Sequence, residues 1–322
     1  MDFDIRPLDR GDPDLIRPLI THPSLAPQFD ILQPPGALED WLGDPHMDCG
    51  PEGASGVAYA GGRPVGLVLA FALNGLEGPW GIMRPGVLGE FRRRGIGSAL
   101  VRAAEARLLA RKEPAGELCL SAWLVDVPAS PGRAEVPFRV ADGDPAPAFA
   151  ARHGYSHARY FWLMDRPRGA APELTWPAGI VTRTFDGSEQ AIADWCEAYN
   201  DSFAEHYHFM PGTLEDTRRI TGEHGFHADG LMLAYRDGRC VGYCRNKLDA
   251  HAGEVALLGT VRAARGIGLG RALLRWGVGW LEEKRAPSVT LMVDGDNENA
   301  LALYRSENFE VARTREIWSR RP

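Results

Sequence analysis

The chain has 322 residues, 44% of them apolar and 25% charged, with a formal net charge of −7. That length accommodates two domains of about 150 residues, the composition is that of a folded globular protein, and the acidic balance excludes a general nucleic-acid or anionic-membrane binder while leaving room for a local basic pocket. Five cysteines at scattered spacings, Cys49, Cys119, Cys196, Cys240 and Cys244, read as reduced thiols rather than a disulfide framework.

The amino terminus, MDFDIRPLDRGDPDL, carries acids and no apolar core, so it does not read as a secretion signal. The longest apolar run, Val65 to Leu73, has nine residues, too few to span a bilayer. A cytoplasmic protein without nucleic-acid or membrane partners is expected. Next comes GEFRRRGIGSALVRAAEARL, in which Arg92, Gly95 and Gly97 open a helical pattern. Residues 126–145, DVPASPGRAEVPFRVADGDP, are rich in proline and glycine and read as a loop. Residues 166–179, RPRGAAPELTWPAG, lack any periodicity and read as a linker.

Beyond the linker, GIVTRTF reads as a strand, SEQAIADWCEAYNDSF as a helix and TLEDTRRI as a short helix. LMLAYRDGRCVGYCRNKL is a hairpin turning at Asp237 and Gly238. GEVALLGTV is an apolar strand, followed by a glycine loop and a helix to about Lys284. SVTLMVD, NENALALYRSE and VARTREIW complete a strand, helix, strand sequence, so a mixed α/β fold is expected. Cys240 and Cys244 lie four apart, which suits one face of a strand better than a zinc site without a second pair.

The second half repeats the first. Arg265, Gly268 and Gly270 follow Arg92, Gly95 and Gly97 at a constant offset of 173. Downstream the offset falls to 154, aligning Phe309 with Tyr155, so the first copy carries 19 extra residues within its proline-rich loop. The two domains are expected at 1–167 and 178–322, in a monomer holding a pseudo-symmetric pair.

Glycines ahead of a helix let a ligand approach the backbone, and the first-turn N–H groups favour a phosphate. The second loop, Gly266, Gly268 and Gly270, is G-x-G-x-G and not the dinucleotide fingerprint. No Lys-Ser or Lys-Thr follows either loop, so the nucleoside triphosphate motif is absent too. One such loop suits a mere tight connection; two at one offset, each led by an arginine, do not.

These loops resemble the acyl-CoA pyrophosphate motif of the GNAT superfamily of N-acyltransferases, R/Q-x-x-G-x-G/A, and the order of strands and helices around them is similar. The resemblance covers nearly the whole chain as two tandem GNAT domains. GEVALLGTVRAARGIGLGRALL and LMVDGDNENALALYRSENF make the second half look most like the mycothiol synthase branch. It implies transfer of an acetyl group from acetyl-CoA to a primary amine of a small molecule by direct attack, with no metal.

In the second half the resemblance places the coenzyme pyrophosphate on the loop Arg265, Gly266, Ile267, Gly268, Leu269, Gly270 and Arg271, with the two arginines as charge partners. Glu254 matches the family's general base, needed because an ammonium must lose a proton before attack. The backbone of Leu258, Gly259 or Thr260 would supply the oxyanion donor, Thr260 standing where valine is usual. Tyr304 matches the general acid that protonates the leaving thiolate, and Asn297 a coenzyme contact. His206, His208 and Lys247 are candidates for acceptor recognition; His224 and His227 are too loosely related to them for a metal reading. In the first half Gly81 and Ala150 stand at the base and acid offsets, whereas Arg92, Arg93, Arg94, Gly95 and Gly97 keep the loop. The second domain is therefore expected to be catalytic and the first to be degenerate, still able to hold acetyl-CoA. A non-catalytic CoA-binding or sensing protein stays open at this point.

Overall fold

The computed structural model describes residues 2–124, 126–128, 138–140, 144–249 and 252–322. The first half runs β1 (Asp4–Pro7), α1 (Pro13–Ile20), α2 (Ala37–Gly43), β2 (Gly56–Ala60), β3 (Arg63–Gly75), β4 (Gly78–Val87), α3 (Ile96–Leu109), β5 (Glu117–Trp123), β6 (Asp126–Pro128), β7 (Phe138–Val140), α4 (Pro145–Arg152) and β8 (Ser156–Arg166). The second runs β9 (Val181–Thr184), α5 (Glu189–Phe203), α6 (Leu214–Thr221), β10 (Phe226–Arg236), β11 (Arg239–Leu248), β12 (Gly253–Thr260), α7 (Leu269–Glu283), β13 (Val289–Asp294), α8 (Glu298–Ser306) and β14 (Glu310–Arg320). This is the mixed α/β class read from the sequence, and the second-half elements fall where their patterns put them. Local chemistry sets several boundaries: Ser188 caps α5, a Thr213–Asp216 capping box opens α6, and Asp237 and Gly238, both at positive φ, make the β10–β11 turn.

The chain divides into two compact units, Met1–Phe161 with Arg313–Pro322, and Trp162–Ala312. The linker alone suggested a simple cut between 167 and 178. The difference arises because the chain's last strand returns to the first unit, where it pairs with β5. Arg315 to Arg320 of β14 pair antiparallel with Trp123 to Leu118 of β5, giving the first unit the strand order β1-β2-β3-β4-β5-β14. In the second unit the order is β9-β10-β11-β12-β13-β8. Residues 166–179 are tied down: Arg166 reaches Glu282 on α7 at 3.3 Å, and the Gly169 N–H donates to the same carboxylate at 3.0 Å.

In the first unit the apolar run of β3 is buried on both faces, Val68 and Ala70 toward α3 and Leu67 and Leu69 toward α1 and α2. In the second, Leu231, Leu233 and Tyr243 pack against Ile192 and Trp195 of α5, and α7 buries Leu269, Leu273, Leu274, Val278 and Leu281. Each such side chain contributes about 1.5–3 kcal/mol. The segment read as a loop at 126–145 contains a short antiparallel ladder, Asp126–Pro128 against Phe138–Val140; residues 129–137 and 141–143 of it lie outside the described residues. Among the described residues no helix is long and apolar enough to cross a membrane.

Removing Arg313–Pro322 leaves β5 as an exposed edge. Amide exchange of such a truncation is expected to show lost protection in β5 and retained protection in β10, β11 and β12; unchanged protection in β5 would contradict this division of the chain.

Candidate active site

The two glycine loops fold alike. Gly266 and Gly268 have φ of 82° and 87°, and Arg93 and Gly95 at the same offset have 63° and 83°. Arg93 therefore adopts a left-handed conformation that costs a non-glycine residue roughly 1–2 kcal/mol, so the turn's shape survives where the glycine does not. Of the described α-helices with eight or more residues, α3 and α7 alone lack a side-chain N-cap; Asp12, Asp144, Ser188, Thr213 and Asn297 cap the others. The first-turn N–H groups at Leu269, Gly270 and Arg271 thus have no capping side chain across them, the arrangement that takes an anion. A Cβ on Gly270 would meet Leu303 and Thr260 only at 3.8 Å, so packing does not by itself demand glycine there.

The loop arginines have structural duties. Arg265 donates to the Ser202 carbonyl at 3.3 Å and to Glu205 at 2.9 Å, and Glu205 also pairs with Arg262 at 3.1 Å. Arg92 donates to the carbonyls of Ser24 and Val87 at 2.9 and 3.0 Å. The leading arginine thus ties the loop to the turn after α1 in the first unit and to the end of α5 in the second. Arg271 binds the buried Glu307 at 2.8 Å, and Arg275 binds its other oxygen at 2.9 Å, which fastens α7 to the end of α8.

β12 is the strand that shapes the site. Opposite β11, Leu257 pairs with Arg245 and Val255 with Asn246, so Ala256 is an extra residue, a β-bulge. Its parallel pairing with β13 ends at Gly253–Val289 and Glu254–Thr290, and from there the two strands part. The Val261 N–H donates to the Val241 carbonyl; by strand alternation Gly259 also faces β11, and Leu258 and Thr260 turn their backbone groups toward the edge that β13 has left. Of the three residues expected to offer an oxyanion donor, the geometry thus favours these two. Gly259 has a different constraint, since a Cβ there would lie 2.6 Å from Ser202 Oγ and from the Tyr243 ring.

Glu254 sits where the strands part, directly across from Lys247 on β11, and the bulge turns it toward the face covered by α5 and α6. Tyr304 is buried on α8, against Phe309 at 6.2 Å. Burial pushes its phenol well above its ordinary pKa, with the nearby Cys244 adding to the effect, which keeps it protonated as an acid must begin. Asn297 is the N-cap of α8, accepting from the Ala300 N–H at 3.1 Å. Lys247 lies 3.6 Å from Glu223, beside the Glu254 strand, whereas His206 stacks on Phe203 at 4.2 Å near Glu205 and the loop. His208, at φ 51°, packs against Tyr207. Sequence reasoning missed Arg245, Glu223, Glu205 and Glu307; the one available signal was a charged Arg245 at an inward position of an apolar strand.

A model of the acetyltransferase (GNAT) family matches residues 21–119 and 192–309. The chain belongs to the GNAT family. Mycothiol acetyltransferases of Thermomonospora curvata and Acidothermus cellulolyticus are 37% and 34% identical to it over 224 and 237 residues, 68% of this chain in both cases and 66% and 65% of theirs. The match thus spans about two thirds of the length of these curated relatives. Among solved structures, a GCN5-related N-acetyltransferase from Sphaerobacter thermophilus has a TM-score of 0.69 at 24% identity, covering 99% of this chain and 96% of that one. A tandem GNAT protein from the clavulanic acid biosynthesis pathway has a TM-score of 0.66 at 20% identity, covering 99% and 98%. These two share the fold.

The two GNAT copies differ around the positions of Glu254 and Tyr304. β4 pairs with β3 without interruption, and with β5 from Trp80–Glu117 to Met83–Leu120, so the first copy lacks the bulge and its strands part later. The missing extra residue shifts the correspondence: the residue on the same face as Glu254 is Ile82, paired with Phe71, rather than Gly81 at the simple offset. A Cβ on Gly81 would meet Leu108 at 2.7 Å. At the acid position the offset holds, because Tyr155 N–H bonds the Ala150 carbonyl as Phe309 N–H bonds that of Tyr304. Past the point where β4 and β5 part, the Gln28 amide clasps the backbone of Trp123, accepting from its N–H at 2.9 Å and donating to its carbonyl at 2.7 Å.

Gly259→Ala is expected to destabilise the protein by about 1–3 kcal/mol through overpacking, read as a lower denaturant midpoint; an unchanged midpoint would mean that Tyr243 yields freely.

Proposed function

We propose that this GNAT protein transfers an acetyl group from acetyl-CoA to a primary amine of a small molecule by direct attack, with the second copy catalytic. The observation that carries the proposal is the bulge at Ala256, which sets a carboxylate where β12 and β13 part and leaves strand backbone open beside it. On this reading, the N–H groups opening α7 hold the pyrophosphate. Leu258 or Thr260 donates to the oxyanion as the amine nitrogen bonds to the thioester carbon. Glu254, directly or through a water, takes the ammonium proton that frees the lone pair. As the carbon–sulfur bond breaks, Tyr304 gives its proton to the departing thiolate and regains one from the acylated nitrogen, which sheds its second proton to become the neutral amide. His206, His208 and Lys247 border the acceptor, and Asn297 orders the turn beside the coenzyme.

The first copy, Ile82 and Ala150 standing in place of base and acid, performs no transfer; its loop of Arg92, Arg93, Arg94, Gly95 and Gly97 is a second place for a coenzyme phosphate. The relatives' name makes a sugar-linked cysteine amine the first acceptor to try. A protein that only binds CoA is the competing reading, favoured by the Gln28 clasp and the lost chemistry of the first copy. Release of free CoA with a panel of amines, with the product mass, separates the two.

Tyr304→Phe and Glu254→Gln are each expected to lower kcat by about 10²–10⁴ with acetyl-CoA binding retained; full turnover in Tyr304→Phe would remove the acid from the mechanism. Gly270→Ala is expected to keep the stability of the parent and to weaken coenzyme binding, since a methyl there meets the ligand sooner than the protein. Because burial raises the Tyr304 phenol, pH–rate profiles should show no basic limb from its ionisation below about pH 10.

A further inference from the structure

Glu254 stands in a group of charges that the sequence reading did not assemble. Lys247 is directly opposite it, and Arg245 lies two residues along the same strand on the same face. Arg245 is 4% exposed, donates to Glu223 at 2.9 Å and sits over the Phe226 ring at 5.7 Å; its Nε is buried without a hydrogen-bond partner. Glu223, just past α6, also approaches Lys247 at 3.6 Å and Arg219 at 3.7 Å. His227 on β10 is turned to the Leu248 carbonyl at 3.2 Å, and β13 contributes Thr290. A carboxylate that must accept a proton from an ammonium has to be ionised. Partial burial opposes its ionisation, whereas a tight pair with Arg245 would make it a poor base.

Resting on the reading of Glu254 as the base, we propose that Arg245 and Glu223 are positioning residues that set its charge state, Arg245 holding Glu254 ionised and Glu223 engaging Arg245 so that it does not pair fully with the base. Burial lowers the Arg245 pKa while Glu223 and then Glu254 raise it, which agrees with one guanidinium shared unequally between two carboxylates.

The sign of each perturbation is fixed. Without the Arg245 charge, Glu254 binds its proton more readily, so the acidic limb of kcat/KM for the acceptor moves to higher pH. Without the Glu223 charge, Arg245 is freed and a like charge is lost, so the limb moves to lower pH. The test is the pH profile of kcat/KM at saturating acetyl-CoA for Arg245→Gln, Arg245→Lys and Glu223→Gln, with circular dichroism to verify folding. Expected are a limb about one pH unit higher in Arg245→Gln, one lower in Glu223→Gln with reduced kcat, and a near-parental limb in Arg245→Lys. Shifts of the same sign, or none, in the variants that fold would overturn the proposal. Glu254→Gln distinguishes the two readings: an acidic limb that persists in that variant removes Glu254 as the base, whereas a limb abolished there but unmoved in the others removes only the positioning role.

Discussion

One extra residue in one strand organises this protein's chemistry. The bulge at Ala256 reverses the facing of β12 partway along its length, so the strand can begin with Glu254 on the α5 and α6 face and still end with Leu258 and Thr260 offering backbone to an open edge. The early parting of β12 and β13 produces that edge. A parallel strand normally has both rows of backbone groups paired inside its sheet; here one row is released over the residues that lead into the phosphate loop. The proposed base, oxyanion donor and anion site thereby lie along a single strand and its continuation.

Duplication makes the point sharper, because the copies share the loop geometry but differ in that irregularity and at the positions of Glu254 and Tyr304. The first copy keeps the loop even at the expense of placing Arg93 in a left-handed conformation. It keeps the arginine that ties the loop down, and it leaves its helix uncapped as the second does. β4 nevertheless runs without a bulge, an isoleucine takes the face of the glutamate, and the tyrosine is an alanine. Retention of the loop geometry with Ile82 and Ala150 in place of Glu254 and Tyr304 fits loop arginines that serve the fold as much as any ligand. Arg92 and Arg265 spend their hydrogen bonds on carbonyls of the preceding segment, and Arg271 on the buried Glu307.

Electrostatics then divides the second unit into two regions. Around the loop, Arg262, Arg265, Arg271 and Arg275 pair with Glu205 and Glu307. Around Glu254, Arg245, Lys247 and Arg219 pair with Glu223. Each group keeps an excess of positive charge, and its cations are already oriented by their partners. Such preorganised groups reorganise little when the ligand arrives.

Much of this was legible in the chain itself. The strand and helix patterns and the loops at a fixed offset follow from spacing and residue type, since periodicity and glycine chemistry are local. Family resemblance added roles for Glu254 and Tyr304, and with them the expectation that the first half has neither base nor acid. Three features were decided only by tertiary structure. The return of the last strand makes Arg313–Pro322 part of the first unit, a pairing between residues some 200 apart that no local pattern encodes. The bulge corrected the counterpart of Glu254 from Gly81 to Ile82, because a constant offset assumes that no residue is left out of register. The group around Arg245 draws on β11, β12 and the end of α6, and a charge inside an apolar strand acquires meaning only when its neighbours across the sheet are known. The sequence determined which residues could carry the chemistry, because propensity and spacing act over a few residues; folding decided which face each one meets, because register and strand exchange act over the whole chain.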